Sequence, residues 1–278
     1  MRFQPPQGPP KSGDKTPVSQ NESMHLSNTE IWDLSARLLH NETASNKYLQ
    51  VLTNEIGSKG AHILDTACGT GFPSIDLYKV GYTEVTAADA DAESLERLRV
   101  NLGKDGIKIP LVHSTWQELP THVEGPFEVI LNTDNSLVYL DSWAPGQMAE
   151  NETEIFERIS AVLRNFFATL KPGGKLIIGL AKNSRRGAQN TIIPIGQAIH
   201  NNQSLEIAWE INYDWSKRIK GSRVRVTNLD IKGETVLDRT CYLITREELA
   251  DLLKKVGFNE VRIVETEGIY DDILVAKK

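Results

Sequence analysis

The sequence has few cysteines and no long apolar run. Its two cysteines, Cys68 and Cys241, cannot form a disulfide framework, which favours a reducing, cytoplasmic environment. No uninterrupted apolar stretch is long enough to cross a bilayer, and no apolar signal-peptide core follows the first residues. The six histidines lack the spacing of metal ligands. We therefore expect a cytoplasmic protein with no membrane partner and no bound metal.

Charge, length and apolar content narrow the classes further. The formal net charge of -6 argues against an extended nucleic-acid footprint, so nucleic acid is not an expected partner. Hydrophobic residues make up 40% of the chain, which is enough for a core and excludes wholesale disorder. A length of 278 residues is near the upper size of one α/β domain, so we expect a single domain with an insertion. The sequence leaves the oligomeric state undecided, and a homo-oligomer is one possibility.

The chain divides into a short tail and one domain. Residues 1–23 are rich in proline and polar residues and are expected to form a flexible tail. Residues 24–278 are expected to form the domain, in which short apolar strands alternate with helices from Ile63 to Leu180. This alternation predicts an α/β fold, a Rossmann-like sheet of seven mostly parallel strands with helices on both faces. The clearest helix covers 154–170, and a turn is predicted at 171–174.

Two helix starts carry the same capping signature. Ser27 and Glu30 have capping-box spacing ahead of an apolar stripe, and Thr245 and Glu248 repeat that spacing. We therefore expect one helix near the start of the domain and another after residue 245.

The strand–helix alternation breaks after Ala181. A half-buried strand is indicated where apolar and polar residues alternate, with the apolar members Leu205, Ile207, Trp209, Ile211 and Tyr213. Two more strands are predicted near 224–226 and over 235–244. Residues 182–242 are therefore expected to form an antiparallel β insertion that caps the substrate site.

The strongest motif lies in residues 63–74. Ile63, Leu64 and Asp65 form a predicted strand that leads into Gly69-Thr70-Gly71 and then into a helix. Glycine permits a sharp turn and a close approach of ligand to backbone. Asp89 ends the next predicted strand, where a carboxylate can accept both hydroxyls of a ribose. These residues predict a nucleoside-cofactor site at the carboxyl edge of the sheet.

The charge beside the glycine turn selects the cofactor. A dinucleotide fingerprint would place glycine at residue 74, where this chain has Ser74. Asp65 would repel a pyrophosphate but suits a cationic amino group. S-adenosylmethionine (SAM) carries an ammonium and a sulfonium and no phosphate, so the sequence favours SAM over NAD.

Residues 64–71 resemble motif I of the class I SAM-dependent methyltransferases. Residues 170–176 are similar to the late L-K-P-G-G-x-L motif of that family. Within the class, the D-x-A-C-G-T-G stretch, Trp116 and Asn135-Ser136 resemble the glycine N-methyltransferase-like small-molecule enzymes. The arginine that those enzymes carry on the N-terminal segment is absent here, where residues 44–47 stand, and this departure puts glycine itself in doubt as the substrate.

The resemblance implies roles for individual residues. The cofactor would be held by a set drawn from the N-terminal helix and the strand ends: Trp32, Asp65, Ala67, Gly69, Gly71, Asp89, Ala90, Thr115, Trp116 and Asn132. Asn135 and Ser136 would line the space between the sulfonium and the acceptor. Lys182 and Arg185 would lie where the family reads a substrate carboxylate.

Aromatic side chains complete the expected site. Tyr139 and Tyr213 are candidates for its lining, because their rings can stabilise a sulfonium or an amine cation. With Asn135, they are our candidate catalytic residues. The sequence offers no obvious strong general base, and an amine acceptor could lose its proton to solvent.

These features predict a SAM-dependent methyltransferase acting on a small molecule, an amine or amino acid. Other functions that use SAM would show the same motif I. The aminocarboxypropyl group of SAM could be transferred or cyclised, releasing methylthioadenosine, or the acceptor could be RNA or protein. A sensor that binds SAM without turnover is a further alternative. The Asn/Asp-Pro-Pro-Tyr/Phe motif of base and glutamine methylation is absent, since Asn132-Thr133-Asp134-Asn135 stands at that place.

Overall fold

The structure is a computed structural model and describes residues 26–142, 148–182 and 187–278. The predicted tail at 1–23 and Arg185 lie outside these residues. The helices of the described residues are α1 (Asn28–Leu39), α2 (Glu42–Ile56), α3 (Ser74–Lys79), α4 (Ala92–Asp105), α5 (Leu119–His122), α6 (Glu152–Thr169) and α7 (Arg246–Val256), with a 3₁₀ helix at Ser136–Tyr139. No helix of the described part is long and apolar enough to span a membrane.

Both predicted capping boxes are present. The Ser27 side chain accepts a hydrogen bond from the Glu30 backbone, and the Glu30 carboxylate accepts one from the Ser27 backbone. Thr245 and Glu248 make the same reciprocal pair at the start of α7. Each box satisfies two backbone donors that a helix start otherwise leaves without partners, which explains why α1 and α7 begin where the spacing predicts.

The main sheet has seven strands in the order β10-β11-β5-β4-β1-β2-β3. All neighbours pair in parallel except β11, which is antiparallel to both β5 and β10. The predicted Rossmann-like, mostly parallel sheet is therefore confirmed. Its strands are β1 (Ile63–Asp65), β2 (Val85–Asp89), β3 (Leu111–His113), β4 (Phe127–Asn132), β5 (Leu170–Ala181), β10 (Asn259–Val264) and β11 (Asp271–Lys277).

Two hydrophobic cores cover the two faces of this sheet. Ile63 packs into the core that α2, α3 and α4 share, while its neighbour Leu64 packs into the core of α6 and α7. Ile177 and Ile178 divide in the same way. Successive residues of a strand point to opposite faces, so continuous apolar runs identify strands that are buried on both sides.

A second, antiparallel sheet has the order β6-β7-β8-β9. Its strands are β6 (Thr191–His200), β7 (Gln203–Asp214), β8 (Ile219–Asn228) and β9 (Glu234–Tyr242). Leu205, Ile207 and Ile211 of β7 pack with Ile31 and Leu34 of α1 in a third core. The first helix of the domain therefore packs mainly against the small sheet.

Two details of the sequence prediction are wrong. Strand β6 was not predicted, because it is an edge strand in which Pro194 and Gly196 interrupt the alternation at a register shift. Residues 171–174 were predicted as a turn but continue strand β5, with a register shift in its pairing to β4 and a positive φ of 75° at Gly173. A glycine bulge, not a loop, follows α6.

Candidate active site

A cavity of about 760 Å³ lies at the carboxyl ends of β1, β2 and β4 and is bordered by α1. Ligands bind at this edge of open α/β sheets, where strand order reverses. Of the residues predicted to bind cofactor or acceptor, eight line the cavity: Trp32, Ala67, Gly69, Asp89, Ala90, Thr115, Trp116 and Ser136. Tyr139, one of the candidate catalytic residues, lines it as well. The tertiary structure thus brings together most of the predicted cofactor set.

The turn after β1 depends on its glycines. Gly69 has φ 48° and Gly71 has φ 136°, conformations that residues with a side chain rarely adopt. A Cβ at Gly71 would overlap the side chain of Ile75, the second residue of the following helix α3. Gly69 faces the cavity, whereas Gly71 lies behind it and lets the loop pack against the helix.

Asp65 lies behind this loop and does not line the cavity. Its fully buried carboxylate accepts hydrogen bonds from the Ser74 hydroxyl at 2.6 Å and from the Ala67 backbone N–H at 3.3 Å. Asp65 therefore links the strand end to the loop and to the start of α3. A contact between its carboxylate and the ammonium of SAM stays a prediction.

Burial gives Asp65 an unusual titration. It raises the pKa of Asp65 to about 7; the bonds from Ser74 and Ala67 oppose the rise and the charge of Asp89 adds to it. Between pH 3.8, the ordinary pKa, and about pH 7, Asp65 therefore keeps its proton in the folded state, whereas the unfolded chain has released it. Because the folded state binds more protons over this range, the stability contribution of Asp65 falls as the pH rises through it.

We expect Asp65→Asn to abolish that loss of stability. The free energy of unfolding of the variant relative to the wild type should grow as the pH rises from about 4 to about 7 and level off above it. Urea unfolding at several pH values measures this difference. The matched control is Asp251→Asn, because Asp251 is an exposed carboxylate on α7 that pairs only with Lys254 nearby. A difference independent of pH would contradict the prediction.

Asp89 ends β2 and faces the cavity. Its Oδ2 accepts a hydrogen bond from the Gly69 N–H at 2.8 Å, and its Oδ1 accepts one from the Asp91 N–H at 2.9 Å. Burial raises the pKa of this carboxyl, and these backbone donors oppose the rise. Each carboxylate oxygen can accept a further bond. Asp89 thus fits the two hydroxyls of a ribose while it braces the glycine loop.

Trp116 stands on the other side of the same loop. Its indole N–H donates to the Thr66 backbone oxygen at 2.5 Å, and its ring packs edge-on against Phe166. Thr115 and Ala90 line the cavity beside it. Trp116 and Asp89 both line the cavity, and an anchored aromatic ring there fits an adenine.

Helix α1 joins the loop to the small sheet. Thr29 donates to Asp91 at 3.0 Å, and Asp33 accepts a hydrogen bond from the Thr70 hydroxyl at 2.6 Å. Trp32 meets the Tyr139 ring edge-on and stacks on Trp209 of β7 with 5.7 Å between ring centroids. The cavity is therefore bordered by a helix that the insertion holds in place.

Several predicted site residues lie elsewhere. Asn132 is buried and donates to the Thr66 hydroxyl at 3.0 Å, and Asn135 accepts a bond from the Ala181 N–H at 3.0 Å. Neither lines the cavity. Asn135 positions backbone in this structure, and its assignment as a catalytic residue stays a prediction. Its positive φ of 56° turns the side chain to β5.

The remaining candidates for the acceptor site also lie away from the cavity or outside the described residues. Tyr213 does not line the cavity, and its buried hydroxyl has no hydrogen-bond partner among the described residues. The Lys182 ammonium donates to the Thr266 backbone oxygen and also lies off the cavity. Arg185 falls outside the described residues. The expected carboxylate-reading cations are thus not found in the described lining.

The sequence prediction missed one pair. His40 and Asp134 both line the cavity, with 3.0 Å between His40 Nε2 and Asp134 Oδ1. The only sequence signal was that Asp134 follows the fourth strand, beside Asn135. Nothing in the pattern around His40, which caps the end of α1, indicates a partner so far along the chain.

A buried network lies behind this pair. Tyr48 of α2 donates to Asp271 Oδ2 at 3.0 Å and accepts from the Asp134 N–H at 3.3 Å. Burial and the charge of Asp134 raise the pKa of Asp271 to about 7, whereas the bond from Tyr48 lowers it. A Cβ at Gly179 would lie within 2.6 Å of both Tyr48 and Asp271, so only glycine leaves room for this contact.

The sheet order and the glycine loop with Asp89 opposite define a class I SAM-dependent methyltransferase fold. Residues 63–174 match a known family of methyltransferase domains. A SAM-dependent methyltransferase from Clostridium acetobutylicum has the same fold, with TM-score 0.61 and 14% identity over 88% of this chain and 98% of that one. An amino pentose methyltransferase from Micromonospora echinaspora aligns with TM-score 0.66 and 15% identity over 92% and 98% of the two chains.

Relatives found by sequence are also methyltransferases. A glycine/sarcosine N-methyltransferase of Aphanothece halophytica is 26% identical over 59% of this chain and 58% of its own length. Its counterpart in Halorhodospira halochloris is 32% identical over 45% and 41% of the two chains. The alignments thus span less than two thirds of either relative. Residues 63–174 thus match a methyltransferase domain, and the structure around them has the class I SAM-dependent methyltransferase fold, whose cofactor is SAM.

Proposed function

We propose that this protein transfers the methyl group of SAM to the amine nitrogen of a small molecule. The observation that carries the proposal is the acidic lining of the cavity. Among the described lining residues, carboxylates outnumber the one arginine, Arg37. They are Asp33, Asp76, Asp89, Asp91, Glu118, Asp134 and Asp141. Such a wall attracts a sulfonium and a protonated amine and repels phosphates.

The excess of negative charge survives the ion pairs. Arg37 pairs with Asp33, and Arg158 pairs with Asp141. Among the described residues, Asp76, Asp89, Asp91 and Glu118 face the cavity without an ion pair. Burial raises the pKa of Asp76 and of Asp89, and a bound cation would favour their ionised forms.

Size and enclosure support a small acceptor. A volume of about 760 Å³ falls in the range of small-molecule sites. Trp32 borders the cavity and stacks on Trp209, so the insertion predicted at 182–242 acts on the site through α1. We propose that this insertion is the cap that sets acceptor specificity. Both relatives described above are named for methylation of an amine nitrogen, which agrees with an amine acceptor.

Titration calorimetry with SAM, followed by product analysis, tests the proposal. We expect saturable SAM binding, methylated product with sarcosine or the carboxylate-free amine ethanolamine as the probe, and S-adenosylhomocysteine as co-product. Methylthioadenosine would instead show transfer or cyclisation of the aminocarboxypropyl group. A salt-sensitive gel shift with RNA would favour a nucleic-acid acceptor. SAM binding without turnover of either amine would count against the acceptor class proposed here.

A further inference from the structure

His40 is held in one orientation at the cavity wall. Its ring stacks on Phe72 with 4.6 Å between centroids and meets the Tyr48 ring edge-on at 5.9 Å. Its Nε2 lies 3.0 Å from Asp134 Oδ1, and its side chain is only 9% exposed. A ring packed between two aromatic side chains and bonded to a carboxylate cannot turn freely, so its second nitrogen has a defined position.

The partner of Nε2 selects the tautomer of the imidazole. An ionised carboxylate only accepts hydrogen bonds, so the proton of neutral His40 lies on Nε2 and the lone pair on Nδ1. Among the described residues, Nδ1 has no protein hydrogen-bond partner. The arrangement resembles the carboxylate–histidine pairs in which one nitrogen is held and the other takes up a proton.

The groups that face His40 favour its protonated form. Burial lowers the pKa of His40, but Asp134 after β4, Asp271 on β11 and Asp76 on α3 outweigh it and raise the pKa above its ordinary value. The charge of His40, opposed by burial, lowers the pKa of Asp134. The other neighbour, Tyr48, is neutral because burial raises its pKa well above the ordinary value.

Asp134 is itself held by the network described above. Its backbone N–H donates to the Tyr48 hydroxyl, which donates to Asp271. Its φ of 57° is a left-handed conformation that Asp and Asn adopt more readily than most residues. The carboxylate that orients His40 therefore stands on a backbone that α2 and β11 support.

We propose that His40 accepts, at Nδ1, the proton that a protonated amine must lose before it can attack SAM, with Asp134 as the positioning residue. This inference rests on the proposed function. The ammonium N–H bond breaks and its proton forms a bond to Nδ1. The freed nitrogen lone pair then bonds to the methyl carbon, while the electrons of the carbon–sulfur bond stay on sulfur. The charge balances, because the two cations before the reaction are the sulfonium and the acceptor ammonium, and the two after it are the His40 imidazolium and the methylated ammonium.

The imidazole titration can be tested without an acceptor. In the complex with S-adenosylhomocysteine, ¹⁵N shifts of His40 should show the Nε2–H tautomer when neutral and a pKa above the ordinary 6.5. Asp134→Asn, which suits the same backbone, should lower that pKa and mix the tautomers. A neutral Nδ1–H tautomer in the wild type, or an unchanged His40 titration in Asp134→Asn, would overturn the proposal.

Kinetics with sarcosine or ethanolamine as the probe amine test the proton transfer itself. We expect His40→Gln to lower kcat about 100-fold with SAM affinity retained, and the wild-type kcat to fall on the acid side as His40 becomes protonated. His62→Gln is the matched control, because His62 precedes β1 at the opposite end of the sheet. An unchanged kcat in His40→Gln would overturn the proposal that His40 accepts the proton. If the wild type binds SAM but does not turn over the probe amine, that result counts against the proposed function alone. The ¹⁵N measurement of the His40 tautomer still tests the role of His40.

Discussion

Replacement of Asp89 with Ala is expected to weaken SAM binding by at least about 100-fold. Asp89 is a half-buried carboxylate that lines the cavity from the end of β2 and is predicted to accept both ribose hydroxyls. A hydrogen bond to a charged group contributes about 1.5–3 kcal/mol, and each ~1.4 kcal/mol changes an equilibrium constant tenfold. Two such bonds therefore account for the expected loss. Titration calorimetry of the variant with SAM measures it.

Asp89→Asn should bind SAM no better than Asp89→Ala. Both carboxylate oxygens of Asp89 already accept backbone N–H groups, from Gly69 and from Asp91. An amide has only one acceptor oxygen, so its NH₂ group must face one of those donors. Asp105→Ala is the matched control, because Asp105 is an exposed carboxylate paired with Lys79 at the end of α4. Affinity near that of the wild type in Asp89→Ala would show that Asp89 does not bind the ribose.

Gly179→Ala is expected to destabilise the fold by about 3 kcal/mol and to disturb the His40–Asp134 pair. The added Cβ would lie 2.5 Å from Asp271 Oδ2, 2.6 Å from the Tyr48 hydroxyl and 3.0 Å from the Asp134 N–H. Overpacking a core costs about 1–3 kcal/mol, and displacing a buried hydrogen-bonded pair adds to that cost. Denaturant unfolding of the variant measures the loss.

Gly103→Ala provides the contrast. Gly103 lies in the last turn of α4, and a Cβ there has no neighbour within 4 Å. Alanine at an unstrained helical residue stabilises by about 0.4–1 kcal/mol, because the unfolded chain loses freedom. The two variants make the same chemical change and should move stability in opposite directions. Equal stability of Gly179→Ala and the wild type would show that Asp271 and Tyr48 can move apart without cost.

Most of the residues assigned to the cofactor from the sequence line the cavity, because the signals that select them are local. Residues 63–74 contain a buried strand, a glycine turn and the start of a helix, and Asp89 ends the next strand along the chain. Each feature reflects what a short segment can do by itself: bury apolar side chains, turn sharply or cap a helix. The parallel alternation then places the strand ends at one edge, where the structure has the cavity.

Fewer of the residues assigned to the acceptor line the cavity, because their positions depend on contacts between distant segments. The residue types at Asn135 and Lys182 suit an active site, yet Asn135 bonds to Ala181 and Lys182 to Thr266. A polar residue after a strand can face a ligand or satisfy a neighbouring backbone group. Which of these occurs depends on packing that no sequence period reports.

The sequence by itself determined the strand–helix alternation, the capped helix starts and the glycine loop with Asp89, because propensity and periodicity act over a few residues. Only the tertiary structure decided that α1 packs on the small sheet. It also decided that His40 meets Asp134 across 94 residues and that Tyr48 meets Asp271 across 223. Those contacts arise because α1 buries its apolar face against the small sheet and α2 buries its own against the main sheet. Burial then selects which polar groups meet.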